Sequence, residues 1–263
     1  MSAALPIRRV EKVWGCDVLP APFTAAEGER IGEIWFEPPP GLEALLVKYI
    51  FTSEKLSVQV HPPGDSGKEE CWLVVDAAPG AVLGIGFNEP LDAAQMRAAA
   101  LDGSIERKLT WYPVRAGDFV YIPAGTVHAI GAGISLIEVQ QNNDVTYRFY
   151  DYGRPRELHL DEAAAVAIGQ PLDPALRRHI AAGGHLRLVD GPYFRLDRAD
   201  GPPDADIAAH YAGPLLAIPL DGAITVDGES IDAGGCAVAD TLDAIVIPSG
   251  VQCLLAQPCT GEP

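Results

Sequence analysis

Short apolar runs separated by turn residues constrain this chain more than any other feature. Residues 45–51, 56–60, 71–75, 117–122 and 135–140 each read as a strand of β-branched or apolar residues, with Gly, Pro, Asp or Ser in nearly every gap. Parallel βαβ units would need a helix after each strand, so this spacing predicts a β-barrel or sandwich. Helix signals are few: Ala-rich stretches at 92–101, 160–167 and 173–182, opened by Asp or Pro, are expected to decorate the barrel. Beyond Gly183-Gly184 the strand texture resumes at 215–220, 223–226 and 244–247, separated by Asp-Gly turns, which predicts a second, smaller β unit.

The chain's 263 residues suffice for a substantial core, and 27 Gly and 23 Pro fit a turn-rich ordered protein. Acidic residues outnumber basic ones 36 to 19, for a formal charge of −17, and such a field repels nucleic acid and anionic lipid. An anion could still bind where a few Lys and Arg converge, which draws attention to Lys48, Lys68 and Arg148. The 5 cysteines lack CxxC spacing and fit reduced thiols. The first residues lack the order of a signal peptide and no apolar run approaches the roughly 20 residues of a membrane span, so a soluble, cytoplasmic protein is expected.

In Leu56-Ser-Val-Gln-Val-His-Pro, Gln59 and His61 stand two apart on an expected strand, so both side chains leave one face. Glu70 follows a tight Pro-Gly-Asp-Ser-Gly segment that could return the chain as a neighbouring strand and bring the carboxylate beside His61. Farther on, Gly117-Asp-Phe-Val-Tyr-Ile-Pro123-Ala-Gly125-Thr-Val-His128 has the spacing of the second cupin motif, and the chain resembles that superfamily. The resemblance implies a jelly-roll β-barrel in which His128 joins a first motif, here Gln-x-His followed by Glu. Two imidazoles, a carboxylate and an amide oxygen make a mixed N/O set suited to Zn2+ or a similar divalent ion.

The same residues carry a narrower likeness. Leu56 to Pro62, Gly67-Lys-Glu-Glu-Cys-Trp72, Pro123 to His128, Glu138-Val-Gln-Gln141 and Thr146-Tyr-Arg148 match motifs of the type I mannose-6-phosphate isomerases, with weaker echoes at Trp14-Gly15 and Gly32-Glu33. The likeness covers roughly residues 10–160. It implies an aldose-ketose isomerase that interconverts mannose 6-phosphate and fructose 6-phosphate, with metal ligands Gln59, His61, Glu70 and His128. It further implies an active-site arginine at Arg148, substrate-contacting lysines at Lys48 and Lys68, and Ser57 on the substrate side. The loop from Pro62 to Gly67 is shorter than in relatives, which leaves the choice of hexose phosphate open.

Isomerisation moves a proton between carbon-2 and carbon-1 through an enediolate, so a cation and a fixed arginine are expected to stabilise the oxyanion. Glu138, beside the motif, is one candidate general base; a lysine or a metal-bound water is another, and Glu138 could equally support a ligand. Residues 1–158 are expected to form the catalytic barrel, 159–183 a helical connection, and 184–263 a cupin-like unit without metal, because Pro248-Ser-Gly250-Val-Gln-Cys253 repeats the motif but ends in Cys. An iron-dependent cupin oxygenase, a related sugar-phosphate isomerase and a non-catalytic sugar-binding cupin are the competing classes.

Overall fold

The computed structural model describes residues 3–64 and 67–259; Asp65 and Ser66, within the short loop noted above, lie outside the described residues. The chain is mainly β, and the named strand pairs in its four sheets run antiparallel. The largest sheet has seven strands, in the order Ile7–Cys16, Ile31–Phe36, Leu45–Thr52, Ile134–Gln141, Glu70–Ala77, Asp118–Ile122 and Arg177–His179. It faces a five-stranded sheet of Tyr147–Tyr150, Val58–Val60, His128–Ile130, Val82–Phe87 and Leu109–Pro113, and the two share a core of Ile50, Trp72, Val74 and Leu136 against Leu83, Ile85 and Ile130.

The seven-stranded sheet is covered on both faces. Val47, Tyr49, Phe51, Cys71, Leu73, Ile137 and Val139 point away from the barrel and pack on Phe194, Leu196, Leu216, Ile218 and Leu254. Those partners come from a third sheet of Leu186–Asp190, Phe194–Asp200, Gln252–Pro258, Leu215–Pro219 and Ala237–Ala239. Leu45–Thr52 is therefore buried along its whole length, which is why positions on both of its faces are apolar apart from Lys48 and Thr52. The third sheet in turn packs on Glu229–Ile231, Ile224–Val226 and Ile245–Val246 through a second apolar core.

Helices Ala93–Leu101 and Leu160–Val166 cover the outer face of the five-stranded sheet, with Met96, Ala99 and Ala163 against Val58, Val60 and Phe149. Asp92 caps the first of them in a reciprocal capping box with Gln95. The helix expected at 173–182 does not form. Asp173 accepts from the Ala175 N–H and closes a single 3-10 turn, Pro174–Leu176, after which Arg177–His179 pairs with Asp118–Val120 and completes the edge of the large sheet. The tertiary pairing satisfies that strand edge, and local helix signals lose to it. Among the described residues no helix is long and apolar enough to cross a membrane.

Candidate active site

Alternation on four strands aims the charged residues into the first barrel. Val58 and Val60 are wholly buried beneath the two helices, so Gln59, and His61 after it, project to the opposite face. On the large sheet Val47 and Tyr49, Cys71 and Leu73, and Ile137 and Val139 face the third sheet, which leaves Lys48, Glu70, Trp72, Glu138 and Gln140 inside. Register then sets neighbours: Glu138 lies between Lys48 and Trp72, Gln140 opposite Glu70, and Gln59 between His128 and Arg148. Gly125 turns the chain into His128 with φ +84° and its N–H on the His61 carbonyl at 2.8 Å; a Cβ there would meet the Val166 carbonyl oxygen at 2.9 Å.

His61, Glu70 and His128 are fully buried, and one potential ligand atom from each lies within 4.8 Å of the others. His61 Nδ1 donates to the Val145 carbonyl at 2.8 Å and His128 Nδ1 to the Thr126 carbonyl at 2.9 Å. Each ring therefore keeps an unprotonated Nε2 facing Glu70, whose oxygens stand 3.5 Å from both. His61 Nε2 and Glu70 Oε1 have no hydrogen-bond partner. Burial draws both imidazoles below the usual histidine range, most strongly His61, where Lys68 adds to it. His61 Nε2 and Glu70 Oε1 face each other in the interior without a donor of their own, and a cation between them would satisfy both, so the donor set fits a divalent ion. The Gln59 amide nitrogen lies 3.3 Å from His128 Nε2, which puts this side chain beside the three.

A cleft lined by Lys48, Ser57, Gln59, Lys68, Glu138 and Arg148 adjoins these three side chains through the Lys68–Glu70 and Gln59–His128 contacts. Lys48 Nζ is 2.8 Å from Glu138 Oε1, and Lys68 Nζ is 2.9 Å from Glu70 Oε2 and 3.6 Å from Glu138 Oε1. The Trp72 indole N–H donates to Glu138 Oε2 at 2.8 Å. Burial alone would raise the Glu138 carboxyl, but Lys48 and Lys68 outweigh it and hold the pKa at about 2. Burial alone would likewise lower Lys48, yet Glu138 and Glu33 push its ammonium above the usual lysine range. Lys12, Lys48, Lys68 and Arg156 each have a carboxylate partner, whereas Arg148 has none within 4.0 Å among the described residues, and its Nε is buried without an acceptor.

Sequence reasoning missed the outer wall. Lys12, Trp35, Gln140, Asp144 and Arg156 line the same cleft, as does Glu33, whose carboxylate accepts from the Trp35 indole at 2.7 Å and lies 3.4 Å from Lys12. Lys12, Glu33 and Trp35 belong to the first two strands, which only sheet order carries to the site. Arg156 is clamped by the buried Asp151 through Nε at 2.5 Å and Nη2 at 2.8 Å. The Glu-x-Gln-Gln signature contained Gln140 and could have pointed to it.

No family model matches the chain. Among curated proteins it is 42% identical over 166 residues to the mannose-6-phosphate isomerase of Streptococcus mutans, 57% of this chain and 52% of that protein. It is 30% identical over 235 residues to YvyI of Bacillus subtilis, named for the same activity, across 78% of this chain and 74% of that protein. The chain thus spans about half the length of several relatives it matches. Among solved structures it superposes on the mannose 6-phosphate isomerase of Bacillus subtilis with a TM-score of 0.76 at 22% identity, over 97% of this chain and 98% of that one. A holo, zinc-bound mannose 6-phosphate isomerase gives 0.69 at 14% identity, over 97% and 98%. The fold is that of these cupin enzymes.

Proposed function

We propose, from the premise that this chain belongs to the mannose-6-phosphate isomerase family, that it is a metal-dependent aldose-ketose isomerase interconverting mannose 6-phosphate and fructose 6-phosphate. The observation that carries the proposal is the pair of buried imidazole lone pairs facing the Glu70 carboxylate beneath a cleft that holds an unpaired arginine. Gln59, His61, Glu70 and His128 would hold the ion, and zinc suits their mixed nitrogen and oxygen donors. Bound there, a divalent cation supplies positive charge that polarises sugar oxygens and favours an enediolate.

The chain's own groups take the remaining roles. Arg148, with no carboxylate to neutralise it, stabilises the developing oxyanion or the substrate's phosphate, and Ser57 offers a hydroxyl from the cleft floor. Lys48 and Lys68, held by Glu138 and Glu70, place two cations at the reacting end. Glu138 is better suited to hold those two lysines than to serve as the general base, because a carboxyl with a pKa of about 2 accepts a proton poorly near neutrality. In this reading the first barrel carries the catalysis, and the third sheet backs its large sheet without metal.

The test is a coupled assay of mannose 6-phosphate conversion on metal-stripped protein, with and without zinc. Zinc should restore turnover, and Arg148→Ala should lower kcat by about 100- to 1000-fold while zinc still binds. Absence of turnover in zinc-loaded protein, or full turnover in Arg148→Ala, would reject the reading in favour of a binding role or another sugar phosphate.

A further inference from the structure

We propose that the open edge of the seven-stranded sheet, strand Ile7–Cys16, is a homodimer interface: two copies of this chain pair antiparallel about a twofold axis at Val10 and join their large sheets into one. The inference goes beyond the isomerase reading and stands independently of the metal site.

Ile7–Cys16 pairs with Ile31–Phe36 on one side and ends the sheet on the other. Backbone parity decides which of its groups face the open side. The Pro6 carbonyl accepts from the Glu37 N–H at 2.9 Å, and the Lys12 N–H donates to the Arg30 carbonyl at 3.1 Å, so the even-numbered residues bond inward. The N–H and C=O groups of Ile7, Arg9, Glu11 and Val13 therefore point outward, where no backbone group among the described residues meets them. Ile7 and Val13 are each 51% exposed, and a long edge that carries exposed apolar residues is a template for a further strand.

The side chains select that strand. Antiparallel pairing about Val10 sets residue 7 opposite 13 and residue 9 opposite 11, so exposed aliphatic chains meet at the ends and Arg9 meets Glu11 nearer the axis. These are the same residues whose backbone groups are free to form the ladder. Sliding the register by two residues keeps those groups in use but sets Arg9 on Arg9, or Glu11 on Glu11, at the axis and turns an aliphatic chain against a charge. Glu11 has no ion-pair partner within 4.0 Å among the described residues, and Arg9 has Glu29 at 3.8 Å. On the cleft side the register sets Arg8 of one copy opposite Lys12 of the other, and each of these cations already has a carboxylate, Glu37 at 3.3 Å and Glu33 at 3.4 Å. Charges on an edge strand discourage indiscriminate pairing; here their order admits the same strand of a second copy.

Sedimentation velocity of the full chain and its variants tests the interface. Wild-type protein should run as a dimer at about 100 μM, and Glu11→Arg or Arg9→Glu alone should weaken self-association by about 10- to 100-fold, since each makes both Arg–Glu pairs repulsive. Mixed in equal amounts, the two variants regain opposite charges at every such pair and should form a heterodimer, a rescue that a folding defect in either variant does not produce. Val10→Cys should form an intermolecular disulfide under mild oxidation where the wild type forms none, because residues facing each other across such an axis stand about 4.5 Å apart at Cα. A monomeric wild type at that concentration, Glu11→Arg protein that dimerises as well as wild type, or a mixture that stays monomeric would overturn the proposal.

Discussion

The two β units of this chain share a sheet face yet fill their interiors with opposite chemistry. Inside the first barrel lie His61, Lys68, Glu70, His128, Lys48, Glu138 and Gln140, all buried. Inside the second, between its two sheets, lie Leu215, Ala217, Ile224, Val226, Ala237, Cys253 and Leu255, and the buried charge beside them, Asp197, is paired with His210 at 2.6 Å. The motif that ends in His128 has its counterpart at Pro248 to Cys253, where the thiol is wholly buried, donates to the Leu254 carbonyl at 3.3 Å, and is pushed well above the usual cysteine range by burial. An apolar interior suffices to stabilise a sandwich, and a buried ion network is weak evidence for stability. The charges of the first barrel are therefore best explained by chemistry, and the second unit shows the same architecture relieved of it.

The sharpest way to break that contrast is to exchange the closing residues. His128→Ala should abolish stoichiometric zinc binding and lower turnover by roughly 1000-fold, since the lost Lewis-acid contribution is several kcal/mol. The mirror change, Cys253→His, should leave the stoichiometry of metal analysis unchanged, because its register neighbours Ala199 and Pro219 carry no side-chain ligand atom.

A smaller effect separates the two interiors by charge. Glu138→Gln removes the carboxylate that pairs Lys48 and Lys68 and should cost about 3 kcal/mol in urea denaturation at neutral pH. Glu138 has a folded pKa of about 2 against an ordinary 4.5, so its ionised form favours the folded state. That contribution is present above about pH 4.5 and is lost as pH falls toward 2, and the wild-type stability curve should drop across this window while Glu138→Gln runs flatter. The smallest effect belongs to the second core: Ile224→Val should cost about 1 kcal/mol by the same denaturation and leave zinc affinity and turnover at wild-type levels.

Much of the site was legible because each ligand lies in a compact motif. Gln59 and His61 announce themselves by strand period, and Gly125 and Pro123 frame His128 in a turn that only Gly permits. The outer wall was not legible, since Lys12, Glu33 and Trp35 have the composition of any surface strand and reach the cleft only through pairing. The helix expected at 173–182 failed for the same cause: Asp173 and Pro174 do start a turn, but Arg177–His179 gains more from the open edge of Asp118–Ile122 than from helix continuation.

By itself the sequence determined that this chain is mainly β, that a Gln-x-His pair, Glu70 and His128 offer donor atoms suited to a divalent ion, and that 215–220, 223–226 and 244–247 read as strands without such a set. These follow from local periodicity, turn chemistry and the identity of donor atoms, which travel with the chain. Tertiary structure alone decided that Glu138 lies between Lys48 and Trp72, that Arg148 is the cleft cation left without a carboxylate among the described residues, and which tautomer each metal-facing histidine keeps. Register and carbonyl placement are properties of strands brought together from distant parts of the chain, and burial then sets the charge of whatever they enclose.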